Sequence, residues 1–194
     1  MTQTLIIADD FVPNPYELRD RVLATDFGTQ VGPDGMEYKN ISLHQEPMLI
    51  ERIGELLGRQ IQPRLTFFRM DMDGQLPHCF CHADTICAEW ASILYLNLPE
   101  QCHGGTAFWR HNTMRIDAMP TMEEARARGN PDEVAAHIAQ EWTKPEVWEQ
   151  VGFVGMKWNR FVTYPTRLFH SRWPQSGFGY TKSNGRLIYV AFYD

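Results

Sequence analysis

Trp90-Ala91-Ser92-Ile93-Leu94-Tyr95-Leu96 is largely apolar, with none of the polar alternation of a strand that has one wet face. It is too short for a core helix and reads as a β-strand covered on both faces. Working outward, further β-rich segments fall at residues 5–7, 65–70, 106–109, 160–164, 168–170 and 187–193. Each is short, and Gly- and Pro-containing loops separate them. Many short strands with long connections predict a mainly β fold with supporting helices. The expected core is a double-stranded β-helix, a jelly roll of the cupin kind. The 194 residues are 43% hydrophobic and 12% aromatic, enough for one well-buried core, so a single domain over residues 1–194 is expected.

Two helices are predicted before the β core. Asn14 reads as an N-cap with Pro15 at the first helical position, where a missing N–H costs nothing. Tyr16, Leu18, Val22 and Leu23 then follow helical spacing. Residues 47–57 form the second helix, with Gly58 near its C-terminus, and Gly32-Pro33-Asp34-Gly35 marks a turn between the two. Three capping signatures, Thr121 with Glu124, Asn130-Pro131 with Glu133, and Thr143 with Glu146, predict a helical insert over residues 121–150. A lid over a site and a surface element or homodimer contact are equally open roles for it.

The net charge of −6, without clustered Lys and Arg, argues against nucleic acid as the main partner. Arg126 and Arg128 are a local pair beside Glu123 and Glu124. The first ten residues lack a basic leader, and no apolar run approaches the ~20 residues that cross a bilayer, so a cytoplasmic protein without a membrane span is expected. Cys79, Cys81, Cys87 and Cys102 form no C-x-x-C pair and read as reduced thiols. The single-residue gap between Cys79 and Cys81 is poor chelate spacing for zinc.

The chemistry-bearing residues begin with His82-Ala83-Asp84. In a strand, residues i and i+2 point the same way, so both side chains can aim at one ion from one strand end. His170, closing the apolar run Leu168-Phe169, is the candidate third ligand. Two imidazoles and one carboxylate form the facial triad that leaves open positions on Fe(II). His78 competes with His82 but is not followed by an x-Asp pair, and His44, His103, His111 and His137 read as surface or loop residues. Arg186 stands just before an apolar strand, so it lies either at the strand's solvent end or against an anion. Its planar fork suits a carboxylate.

With these residues in view, the chain resembles the Fe(II)/2-oxoglutarate-dependent dioxygenases, in particular the prolyl-4-hydroxylase-like branch and related bacterial proteins. The similarity runs from residue 65 to residue 192. It comprises His82-x-Asp84, the strand Ile93-Leu94-Tyr95-Leu96-Asn97, the turn Gly104-Gly105-Thr106 followed by Phe108, the distal His170, and Arg186 with Val190 and Phe192 on the closing strand. The resemblance implies that His82, Asp84 and His170 bind Fe(II), and that Arg186, with the Tyr95 hydroxyl as second donor, holds the 5-carboxylate of 2-oxoglutarate. It implies dioxygen as co-substrate, ascorbate as an accessory reductant, and hydroxylation of a C–H bond in an amino acid, a peptide or protein side chain, or another small metabolite. Asp84 argues against a halogenase, which loses that carboxylate to make room for chloride.

The loop 171–185 between His170 and Arg186 is longer than in many prolyl hydroxylases, leaving Arg172 and Arg167 as alternative anion partners. Trp109, Trp173 and Phe178 are candidate walls of a substrate pocket. Two other readings are a non-catalytic cupin-like binding module and a zinc hydrolase using the same triad. The first predicts damaged ligands, and the second leaves Arg186 and Tyr95 without a task.

Overall fold

The computed structural model describes residues 5–194. Strand β5, Trp90–Tyr95, lies between β8 (Phe161–Pro165) and β10 (Arg186–Tyr193). Its outward Leu94 joins one core cluster, and its inward Ala91, Ile93 and Tyr95 join another, which is why the segment is apolar throughout.

The larger sheet has seven strands in the order β1-β8-β5-β10-β4-β3-β2. The additional members are β1 (Ile6–Ala8), β2 (Gly28–Val31), β3 (Glu37–Ser42) and β4 (Pro63–Asp71). The smaller sheet is β7-β6-β9, made of Trp148–Gly155, Gly105–His111 and His170–Trp173. A bridge between His82 and His170 adds a vestigial fourth strand to it. Two antiparallel sheets closing on a shared interior make the jelly-roll core.

Three apolar layers result. Helix α1 (Pro15–Leu23) supplies Leu18 and Val22, and α2 (Pro47–Leu57) supplies Leu49 and Ile53, to the back of the large sheet. The middle layer between the sheets holds Phe108, Val162, Tyr164, Ile188 and Val190. Behind the small sheet, α3 (Met122–Arg126) and α4 (Pro131–Gln140) place Ala125, Val134 and Ile138 against Trp109, Trp148 and Phe169.

The sequence expectations differ from this fold at several points. The insert ends sooner than residue 150, because Trp148 already pairs with His111. Thr143 precedes, and Glu146 lies within, only a single 3₁₀ turn, Pro145–Val147. The Thr121–Glu124 capping box is formed, whereas the Asn130 side chain accepts from the Asp132 N–H, and Asn14 makes no side-chain cap. The strand expected at 168–170 begins at His170, and Leu168 instead bridges Ala118. Strands β2, β3 and β7 have little continuous apolar sequence: β2 and β7 are edge strands, β3 lies next to the edge, and all three have exposed residues. Residues 1–4 of the expected leader-free N-terminus lie outside the described residues.

The Gly104-Gly105 turn sets β6 against β9. Gly104 has φ +73°, and a Cβ there would collide with the Trp173 carbonyl oxygen. Gly104→Ala is therefore expected to cost at least about 1–3 kcal/mol, from the left-handed conformation alone. A fall in the urea midpoint at unchanged slope checks it.

Candidate metal centre

Three chain segments build the centre. The His82 N–H donates to the His170 carbonyl at 3.1 Å, and the His170 N–H donates to the His82 carbonyl at 2.9 Å. The Asp84 N–H donates to the Thr166 carbonyl at 2.8 Å. On the other side, the Phe80 and Cys81 N–H groups both donate to the Trp142 carbonyl, at 2.8 and 3.1 Å. The insert thus braces the segment that presents His82 and Asp84, and its helices pack behind the small sheet.

These contacts bring one donor atom each from His82, Asp84 and His170 within 4.8 Å of one another. Asp84 Oδ2 is 3.1 Å from His170 Nε2, and Asp84 Oδ1 is 3.5 Å from His82 Nε2. The His170 side chain is 6% exposed and that of His82 33%, so the group opens on the His82 side.

The tautomer of His170 follows from its partners. Nδ1 lies 2.8 Å from the Leu168 carbonyl, which can only accept, so Nδ1 carries the hydrogen. Burial works against a charged His170, but Asp84 and the Leu168 carbonyl outweigh it and raise the ring above its usual value, so Nε2, 3.1 Å from Asp84 Oδ2, shares a proton with the carboxylate or gives its lone pair to an ion there. Two acceptors at that distance need a proton or a cation between them. A second-sphere carbonyl orienting a ligand histidine in this way is usual at metal sites. Burial pushes His82 down to about 4 against the pull of Asp84, with His170 and Arg69 lowering it further, so its ring is neutral at pH 7. Burial opposes ionisation of Asp84, but the neighbouring histidines outweigh it and hold the carboxylate below its usual range.

A second cluster, His111, His137 and Glu141, has the opposite arrangement. The Met114 N–H donates to His111 Nδ1 at 3.3 Å, so Nε2 carries the hydrogen and donates to Glu141 Oε2 at 2.7 Å. That nitrogen has no lone pair to offer an ion. His111 is fully buried rather than a surface residue, and it ties β6 to the residue after α4.

Deeper in the interior, Arg69, Arg172 and Arg186 surround Asp71. The register places Arg186 opposite Asp71, and Arg69 shares the inward face with Phe67. Arg186 is 1% exposed, its Nη1 is 3.4 Å from Asp71 Oδ2, and its Nε has no partner among the described residues. Its guanidinium lies 5.8 Å from the Tyr95 ring centroid. The Tyr95 hydroxyl bonds Thr106 Oγ1 at 2.7 Å. Burial works against the Asp71 carboxylate, but the three arginines together hold it below its usual range.

Of the sequence-predicted residues, the fold gathers His82, Asp84 and His170, and it places Arg186 and Tyr95 together in the interior. Phe178 packs on the inner layer. Trp109 faces the other way, against Phe80 and the insert, with its Nε1 donating to Ser171 Oγ. Trp173 alternates to that same outer side, 6.4 Å from Trp109. Neither tryptophan is brought to the interior. Arg167 is held by the Met119 carbonyl and Glu124 at the surface, and His78 bonds the Glu37 carbonyl. Sequence reasoning missed Asp71, Arg69, Thr106 and Tyr164. The Tyr164 ring stands edge-on to His170 at 4.9 Å. The pair Arg69-x-Asp71 carried a readable signal, two charges on one face of an otherwise apolar strand.

Among the described residues no helix is long and apolar enough to cross a membrane. The fold is shared with solved structures at low identity. The epimerase SnoN, in complex with Fe3+, alpha-ketoglutarate and nogalamycin RO, is 15% identical with a TM-score of 0.55, over 98% of this chain and 78% of SnoN. HygX from Streptomyces hygroscopicus, with iron bound, is 11% identical with a TM-score of 0.54, over 99% of this chain and 82% of its own. AviO1 from Streptomyces viridochromogenes is 13% identical with a TM-score of 0.52, over 98% and 89% of the two chains. These likenesses show the fold alone, a fold also used by SnoN, a non-haem alpha-ketoglutarate-dependent epimerase. No curated protein matches the chain in sequence. Over residues 1–193 the chain matches, and so belongs to, the family described as "Family of unknown function (DUF6445)".

Proposed function

We propose that this protein is an Fe(II)- and 2-oxoglutarate-dependent oxygenase that hydroxylates a C–H bond of a small molecule or of a peptide or protein side chain. The observation that carries the proposal is the gathering of His82, Asp84 and His170, with the Leu168 carbonyl fixing the His170 ring so that Nε2 faces the Asp84 carboxylate. The orphaned Nε of buried Arg186 is the second fit, a donor awaiting an acceptor. His82, Asp84 and His170 would hold the metal, and Arg186 the 5-carboxylate of the co-substrate. When bound, iron with 2-oxoglutarate and dioxygen supplies oxidation of a C–H bond coupled to release of succinate and carbon dioxide.

The chain's own residues do the positioning. The Leu168 carbonyl keeps His170 in its ligating tautomer. Asp71 keeps Arg186 in place, and the Arg186 guanidinium meets a carboxylate in a dry interior, where such a bond is stronger than in water. Tyr95 stays protonated, since burial raises its hydroxyl, so it remains a neutral donor. The intact triad and the paired Arg186 and Tyr95 favour this reading over a binding module or a zinc hydrolase.

Anaerobic addition of Fe(II) and 2-oxoglutarate should produce a visible charge-transfer band, and air should then release succinate. Absence of both the band and succinate release would defeat the proposal. Arg186→Ala is expected to raise the half-saturating 2-oxoglutarate concentration by about 10- to 100-fold, through loss of a charge-assisted bond worth about 1.5–3 kcal/mol. A titration of the anaerobic band measures it without any substrate.

A further inference from the structure

Asn97 follows β5 by two residues and is fully buried, yet the chemistry above gives it no task. Its carboxamide grips the start of β10 on both sides of Arg186. Oδ1 accepts the Leu187 N–H at 2.9 Å, and Nδ2 donates to the Gly185 carbonyl at 2.8 Å. The register explains why a side chain is needed there. Strands β5 and β10 pair with Ile188 opposite Tyr95, and the Leu96 N–H still donates to the Leu187 carbonyl at 3.0 Å. A regular pair would return the Leu187 N–H to the Leu96 carbonyl. The chain instead turns away into the 3₁₀ turn Pro99–Gln101, and the Asn97 amide stands in for the strand that has left.

The Arg186 side chain is loosely held by its own contacts. Its Nη1 makes a long bond of 3.4 Å to Asp71 Oδ2, and its Nε has no partner among the described residues. The residue before it is Gly185, where a Cβ would meet Met70 Sδ at 2.8 Å, so no side chain steers the entry into β10. The aim of the guanidinium is therefore set by its main chain. Strand β4 holds that main chain from one side, with Asp71 opposite Arg186. Asn97 holds it from the other. Without the carboxamide, a buried N–H and a buried carbonyl on either side of Arg186 would be orphaned, and the main chain would shift to satisfy them.

We propose that Asn97 is a positioning residue for Arg186: its carboxamide clamps the main chain before and after the arginine and so aims the guanidinium at the far carboxylate of the co-substrate. This rests on the reading of Arg186 as the anchor of that carboxylate. The coupling runs both ways, so a ligand that Asn97 helps to bind must tighten the two bonds that Asn97 makes.

The test compares 2-oxoglutarate with 2-oxopentanoate, in which a methyl group replaces the 5-carboxylate. Each is titrated against the charge-transfer band of the Fe(II)-loaded protein under nitrogen. The wild-type protein should prefer 2-oxoglutarate at least about tenfold, the worth of a charge-assisted bond. Asn97→Ala should lower that ratio about two- to tenfold, the worth of one hydrogen bond, toward the floor set by Arg186→Ala. Leu49→Ala opens a cavity in the layer behind the large sheet and controls for a general loss of stability; it should keep the wild-type ratio. In the wild-type protein, 2-oxoglutarate should slow hydrogen exchange at the Leu187 amide more than 2-oxopentanoate does, which decides the matter if Asn97→Ala does not fold. An unchanged ratio in Asn97→Ala, an equal fall in Leu49→Ala, or equal protection of Leu187 by the two acids overturns the proposal and leaves the oxygenase reading standing. A wild-type protein with no preference for 2-oxoglutarate overturns both.

Discussion

Asp84→Ala is expected to abolish succinate release and to weaken iron binding by more than about 100-fold, beyond the 10- to 100-fold typical of losing a supporting residue around a metal. The side chain supplies the only carboxylate of the triad and the only negative charge between two imidazoles. The fold should survive, because the local chain is held by main-chain bonds from Asp84 to Thr166 and between His82 and His170. Iron content after anaerobic loading, the charge-transfer band and the far-UV spectrum together measure the outcome. A variant that keeps iron at wild-type affinity would show that the ion sits elsewhere.

The second large effect is on stability. Asp71→Asn removes the only carboxylate shared by Arg69, Arg172 and Arg186, at a position 2% exposed. Stripping one partner from a buried ion cluster leaves uncompensated charge and costs about 3–5 kcal/mol. Against a typical total of about 5–15 kcal/mol, that is a large fraction. The urea midpoint of the metal-free protein should fall accordingly. A loss under about 1 kcal/mol would mean that water already screens these arginines. The variant also removes a support from Arg186, so 2-oxoglutarate binding should weaken as well.

The β core was legible where strands are buried on both faces. The segments 90–96 and 187–193 have no polar alternation to confuse with a loop, and helix α2 announced itself through Pro47 and Gly58. Strands β2, β3 and β7 were not legible, because strands at or next to a sheet edge with exposed faces take residues that suit water. In the candidate centre, His82-x-Asp84 could be read from two-residue periodicity and His170 from its strand. The role of Asp71 could not, since it depends on register: only the pairing of β10 with β4 sets it opposite Arg186. The pocket expectation for Trp109 and Trp173 erred for a related reason. In a strand one residue separates the interior from the outer face, and Thr106 and Phe108, not Trp109, take the inward positions.

The vestigial strand at His82 has a dynamic consequence. Its two main-chain bonds to His170 are reciprocal, and the segment's neighbouring main-chain bonds go to Trp142 and Thr166 rather than to β9. The amide hydrogens of His82 and His170, far apart in the chain, should therefore exchange with solvent in a single opening event and at a common free energy. An ion gripped by both imidazoles closes that event from the side-chain direction. Its addition should slow both amides by the same factor and leave distant ones, such as those of α1, unchanged.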